Sequence, residues 1–155
     1  MDQKPDHLKL GQWGEEVACR FLQKKGYKVL ERNSRNRWGE IDIVCEKANT
    51  PDPASRGIRA FLRALARAAS RPARDKGRKD STLVFVEVKT LKQGALEPEE
   101  NMTHAKIKKL IRACEIYLSH RRLDLDSNWQ IDVVAITLDQ TTHKAQIAHY
   151  ENAIY

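Results

Sequence analysis

Two short stretches restrict this chain more than any other part of it: Gly39-Glu40-Ile41-Asp42-Ile43-Val44 and Leu83-Val84-Phe85-Val86-Glu87-Val88-Lys89. β-Branched and aromatic residues dominate both, so each is predicted to be a buried β-strand. Each also carries charged residues at alternate positions. Successive strand side chains point to opposite faces, which puts Glu40 and Asp42 on one face of their strand and Glu87 and Lys89 on one face of theirs. If the strands pair, three carboxylates and one ammonium group converge among Ile, Val and Phe. Such charges are costly to desolvate, and a divalent cation is the usual compensator. The pattern points to a metal-dependent site for cleaving phosphodiesters.

A phosphodiester resists hydrolysis because its charge repels nucleophiles and its leaving oxygen is poor. Magnesium neutralises a nonbridging oxygen and lowers the pKa of bound water. It takes octahedral oxygen ligands and retains several waters, so two carboxylates and a backbone carbonyl suffice. Asp42, Glu87 and the Val88 carbonyl are the expected ligands. Manganese accepts the same donors. Lys89, on the same face as Glu87, would hold or deprotonate the attacking water and offset charge gathering on phosphorus. Glu40 and Glu15 could complete the set, around a second ion or as outer partners of the first. The competing reading is an ion-pair cluster in which Lys89 merely neutralises Glu87. Three acids against one lysine would leave that cluster with uncompensated charge.

The elements around these strands follow from periodicity. Leu10, Trp13, Val17, Ala18, Phe21 and Leu22 recur at helical spacing, and Gly26 supplies a stop, predicting a first helix over residues 8–25. Glu15 falls about 20° from Leu22 on the helical wheel, at the edge of the apolar arc, whereas Glu16 lies on the polar face. Glu15 can therefore reach toward a site, although an exposed glutamate near the helix's positive end is an equally good account. Residues 27–33 read as a strand, 33–39 as a basic turn and 40–45 as the returning strand of a hairpin. In that turn Arg35 and Arg37 lie beside Trp38 and could contact phosphate and base, or the turn is solvated with Trp38 folded onto the core.

A third strand is predicted over 82–90, a loop over 91–101, and a helix capped by Thr103 and running to His120. Lys106, in the first turn of that helix, is poorly placed for the dipole and could be held for a phosphate or snorkel at the surface. Residues 131–138 read as a nearly continuous apolar strand inside a sheet, with Asp132 at its start as a structural cap, and 146–150 as a weaker edge strand.

At 155 residues the chain suits one domain, 1–155. Its apolar runs are far shorter than the roughly 20 residues a membrane span needs, and no secretory signal opens the sequence. A cytoplasmic location is the default expectation. Cys19, Cys45 and Cys114 are widely spaced among apolar neighbours and read as reduced core residues; the five histidines are dispersed, and His143 and His149 could make only a weak pair, which surface solvation explains as well.

The net charge of +7 suggests a polyanionic partner, and residues 48–80 supply nearly all of it, with nine Arg or Lys against three Asp. Prolines at 51 and 53 and a glycine at 77 punctuate this segment like an insertion between two strands. Inside it, Ile58, Phe61, Leu62, Leu65 and Ala69 form an apolar stripe, and Arg59, Arg63 and Arg67 form an i, i+4 row on another face. A cationic helix of that kind could lie on nucleic acid, on an anionic membrane, or on the domain surface with its arginines in water.

Gly-Glu-Ile-Asp-Ile-Val some forty residues before Val-Phe-Val-Glu-Val-Lys-Thr, behind a helix that begins Gly-x-x-Gly-Glu-Glu-x-Ala and the segment Lys25-Gly26-Tyr27, resembles the YraN family of small bacterial proteins. The likeness extends from about Leu10 to Tyr155 and takes in Lys106, Asp132-Val133-Val134 and Asn152-Ala153. It implies an α/β fold with a restriction-endonuclease-like αβββαβ core, a mixed central sheet flanked by helices, and the PD-(D/E)xK nuclease pattern, similar also to archaeal Holliday-junction resolvases. The implied acids are Glu15, Asp42 and Glu87, with Lys89 as the lysine. Relatives usually join the second and third strands by a short turn where this chain carries its basic helical insertion. They also usually carry arginine where Leu91 follows Thr90, which removes a phosphate contact here.

The leading expectation is a magnesium-dependent endonuclease acting on DNA, on branched or structured forms because nothing resembles a base-reading helix or zinc finger. A DNA-binding or adaptor protein that keeps the nuclease fold without catalysis is the alternative. A protein-interaction module docking through Ile58, Phe61 and Leu65 is a third. The oligomeric state is open between monomer and homodimer.

Overall fold

Apolar residues spaced three and four apart wind the chain's start into a helix, and β-branched runs then build a sheet against it. The computed structural model describes residues 6–48, 81–92, 103–123, 128–139, 142 and 144–154. Its elements are α1 (Asp6–Lys24), β1 (Lys28–Asn36), β2 (Gly39–Ala48), β3 (Ser81–Lys92), α2 (His104–His120), β4 (Trp129–Leu138) and β5 (Ala145–Ile154). The five strands form one sheet in sequence order, with β3 and β4 parallel and every other pair antiparallel. The fold is α/β, and the order contains the αβββαβ core followed by an edge strand.

Among the described residues, one helix covers each face of the sheet. Ala18, Leu22 and Tyr27 bury Ile43, Cys45, Val84, Val86, Val134 and Ile136 on one side. Leu110, Ala113, Cys114, Tyr117 and Leu118 of α2 bury Val44, Phe85, Ile131 and Val133 on the other. The interior strands are thus apolar on both faces, as continuous runs require. The three cysteines are free and buried. Gly26 ends α1 with φ of 87°, and Thr103 caps α2 by accepting the Lys106 N–H. No helix among the described residues is long and apolar enough to cross a membrane.

Three expectations are corrected. First, β1 continues to Asn36, so the hairpin turn is only Arg37 and Trp38, and Arg35 lies on β1 opposite Glu40. The cause is local turn chemistry: Asn36 Oδ1 accepts the Trp38 N–H at 2.9 Å and closes a two-residue turn, so β1 runs three residues further than the polar run suggests. Second, Trp13 is 37% exposed, because Gly14 rather than Trp13 faces the sheet. Third, the His149 side chain is only 3% exposed and belongs to an internal network. Strand β3 also runs through Leu91 and Lys92.

Ala48 and Ser81 face each other as the outermost pair of the β2–β3 ladder, so the basic segment joins adjacent antiparallel strands. Arg59, Arg63 and Arg67, together with Ile58, Phe61 and Leu65, lie outside the described residues, as do 93–101 of the loop and His143.

Candidate functional site

The β2–β3 ladder runs from Ala48/Ser81 to Ile43/Val86 and stops. The next position in that register sets Asp42 opposite Glu87. There the strands fork, and the Val88 N–H, lacking a β2 carbonyl, donates to Asp42 Oδ2 at 2.7 Å. N–H and C=O of one strand residue point to the same edge, so the Val88 carbonyl also faces the fork.

On the other edge of β2, the pairs Arg32/Ile43 and Ser34/Ile41 put Asn33 across from Asp42. Asn33 has φ of 50°, a backbone geometry that asparagine tolerates better than most residues. Its side-chain amide donates to Glu15 of α1 at 2.7 Å. Neighbouring Glu16 pairs instead with Arg20 and Arg32, at 3.0 and 2.8 Å, as its place on the polar face requires. The helix thus contributes one glutamate to the fork and keeps the other at its surface.

These positions set the electrostatics. Burial above all, then the charge of Glu87 and more weakly that of Glu15, pushes the Asp42 carboxyl from its ordinary value up to about 7. The Val88 N–H and the Lys89 charge pull it the other way. Lys89 forms an ion pair with Glu87, and these side chains are 20% and 19% exposed. The pair is therefore partly sheltered but still reachable from solvent. Asp42 thus feels the charges of Glu87, Glu15 and Lys89, the residues singled out from the sequence. Glu40 is engaged by Arg35 at 2.9 Å, in a solvent-facing pair beside the fork.

Hard oxygen donors from Asp42, Glu87 and the Val88 carbonyl suit magnesium or manganese. Among the described residues, no group of three or more His, Cys, Asp or Glu is placed to hold a metal together. An ion held there would take two carboxylates, the Val88 carbonyl and otherwise water. The proximity of Asp42 to Glu87, offset only in part by Lys89, is the feature such an ion would relieve.

The candidate nucleic-acid contacts are distributed unevenly. Arg37 lies over the Trp38 ring, its guanidinium carbon 5.6 Å from the centroid. Lys106 is exposed in the first turn of α2. The basic insertion leaves the sheet six residues along β2 from Asp42, about 20 Å away at strand rise. Its roots are therefore at the opposite end of the β2–β3 pair from the fork.

Sequence reasoning missed Asn33, whose only signal was an asparagine within a strand pattern. It also missed the Asp132 network. Fully buried Asp132 accepts from Gln130 at 2.7 Å, His149 at 2.9 Å and the Asn152 N–H at 2.8 Å. That network fastens edge strand β5 to β4, in keeping with a structural role for Asp132.

Residues 14–136 match the model of a family described as Uncharacterised protein family UPF0102. A UPF0102 protein of Syntrophomonas wolfei is 37% identical over 146 residues, covering 93% of this chain and 96% of its own. One from Roseiflexus castenholzii is 32% identical, covering 94% and 93%. UPF0102 protein FP2501 of Flavobacterium psychrophilum is 30% identical over 97% of both chains. The family match spans the second half of α1, the fork, α2 and most of β4, and on that ground the chain belongs to the UPF0102 family.

Proposed function

We propose that the protein is a magnesium-dependent nuclease that hydrolyses phosphodiester bonds in DNA, with branched or structured DNA as its substrate class. The observation that carries this reading is the register of Asp42 against Glu87 at the fork, with Lys89 on the same strand. Asp42, Glu87 and the Val88 carbonyl would hold magnesium, or manganese in its place. When bound, the ion supplies charge neutralisation at the phosphate and a more acidic water. Lys89 orients the attacking water and offsets charge on the phosphoryl oxygens. Glu15, fixed by Asn33, adds a negative oxygen at the helix side of the site.

The test is cleavage of duplex, single-stranded and junction DNA with magnesium or manganese. Asp42→Ala, Glu87→Ala and Lys89→Ala should each abolish it while the protein remains folded. A wild-type chain that cleaves none of these substrates, nor RNA, sinks the proposal.

A second reading, DNA binding without cleavage, draws on the Lys89–Glu87 ion pair, which partly satisfies the site without a metal. It requires DNA affinity that falls steeply with salt and is unchanged by Asp42→Ala.

A further inference from the structure

We infer that Trp38, flanked by Arg37 and Arg112, is a stacking platform for an unpaired base of the nucleic-acid strand that crosses the fork. The inference rests on the nuclease-fold reading above and names the kind of strand that site takes.

Trp38 is 42% exposed in the two-residue turn of the β1–β2 hairpin. Two cationic groups from different elements approach its ring. The guanidinium carbons of Arg37 in the turn and Arg112 on α2 each lie 5.6 Å from the indole centroid. Both arginines are exposed, so a base can displace one guanidinium from the ring while that group turns to the adjoining phosphate.

The platform is built rather than incidental. Asn36 accepts the Trp38 N–H at 2.9 Å through Oδ1, and its Nδ2 donates to the Ala113 carbonyl at 3.1 Å. One side chain thereby ties the hairpin tip to the helix residue next to Arg112. Holding tip and helix in fixed relation lowers the ordering cost of binding.

The surrounding charge suits a polyanion. Lys108 and Lys109 are exposed one turn before Arg112 on α2, and α2 has no acid in its first turn. Glu115 pairs with Arg112 at 2.9 Å and is the acid nearest this edge of the platform on α2. Geometry favours an unpaired base. The faces of bases inside a duplex are already covered by their neighbours, whereas the indole at a hairpin tip offers a π face once a guanidinium turns aside, but no element shaped for a groove. Trp38 precedes Asp42 by four residues on the same hairpin, at most about 13 Å along a strand. A strand whose phosphate meets the carboxylates can therefore set a nearby base on Trp38. Such a substrate is single-stranded near the cut, as in a flap or an opened junction arm.

The experiment measures binding by fluorescence anisotropy in EDTA, where no cleavage occurs. The full chain is compared with Trp38→Ala and Trp38→Phe on single-stranded, flap and blunt duplex oligonucleotides. Base stacking of about 1–3 kcal/mol corresponds to a loss of roughly 5- to 150-fold for Trp38→Ala on single-stranded and flap DNA. Trp38→Phe should retain most of the affinity, and duplex binding should change less than about twofold. Single-stranded DNA should also quench the intrinsic fluorescence of the wild type but not that of Trp38→Phe. Equal losses on duplex and single strands, quenching that survives Trp38→Phe, or no binding to any oligonucleotide overturns the inference, the last pointing to a protein partner. Because the readout needs no catalysis, an inactive site and an idle Trp38 give different results.

Discussion

Gly14 of α1 lies so close to Thr90 of β3 that a Cβ on the glycine would stand 1.9 Å from the threonine Oγ1. This contact lets the helix meet the strand two residues beyond Val88 and delivers Glu15, next in sequence, to the fork. Gly14→Ala should therefore destabilise the protein by about 1–3 kcal/mol through overpacking, measured by urea unfolding. Thr90→Ala in the same chain should recover most of that loss, because it removes the clashing hydroxyl. Unchanged stability in Gly14→Ala would show that the helix can shift without cost.

The fork should make stability depend on pH in an unusual direction for a carboxylate. Asp42 has its pKa raised in the folded state to about 7 from an ordinary 3.8, so between those values the native protein binds more protons than the unfolded chain. Its contribution is thus fully present below about pH 4 and is lost as pH rises through 7. In metal-free buffer, Asp42→Asn should be more thermostable than wild type at pH 8 and lose that advantage near pH 4. Millimolar magnesium or calcium at pH 8 should raise the melting temperature of wild type and leave Asp42→Asn unmoved. Thermal scans across pH, with and without the ion, give both answers.

Much of this site was legible because strand alternation and helical spacing are local rules. Residues 87 and 89 had to share a face, and Glu15 had to lie nearer the apolar arc than Glu16. What spacing could not give is where one ladder ends. The ladder ends at Ile43/Val86, and the Val88 N–H goes to the Asp42 side chain instead, a contact between strands distant in sequence. The tight turn at Arg37 and Trp38 escaped for a similar reason: a side-chain bond from Asn36 overrode a polar run that read as loop. His149 escaped because a histidine on an edge strand carries no sign that Asp132 waits beneath it.

Asn33 joins a strained backbone position to a functional contact, and two substitutions separate these roles. Asn33→Gly keeps φ of 50° accessible but removes the bond to Glu15. Asn33→Ala removes the bond and also disfavours the backbone, at a cost of about 1–2 kcal/mol. Cleavage should fall by a similar factor in both, whereas only the alanine variant should lose appreciable stability. If Asn33→Gly cleaves like wild type, Glu15 does not need its tether.

The Asp132 network should be worth more to folding than any surface pair in the molecule. Lysine can only donate, so His149 Nδ1 accepts from Lys25 Nζ at 2.9 Å, and the opposite ring nitrogen carries the proton donated to Asp132. Phe21 and Tyr27 meet the imidazole edge-on and keep water away. His149→Leu leaves the fully buried carboxylate with its Gln130 and Asn152 donors alone among the described residues, which should cost about 1.5–3 kcal/mol, the range for losing a hydrogen bond to a charged group. Adding Asp132→Asn to His149→Leu should restore part of that loss, because the stranded group is then neutral. Were the double variant no more stable than His149→Leu alone, the cost would lie in packing around the ring and not in the buried charge.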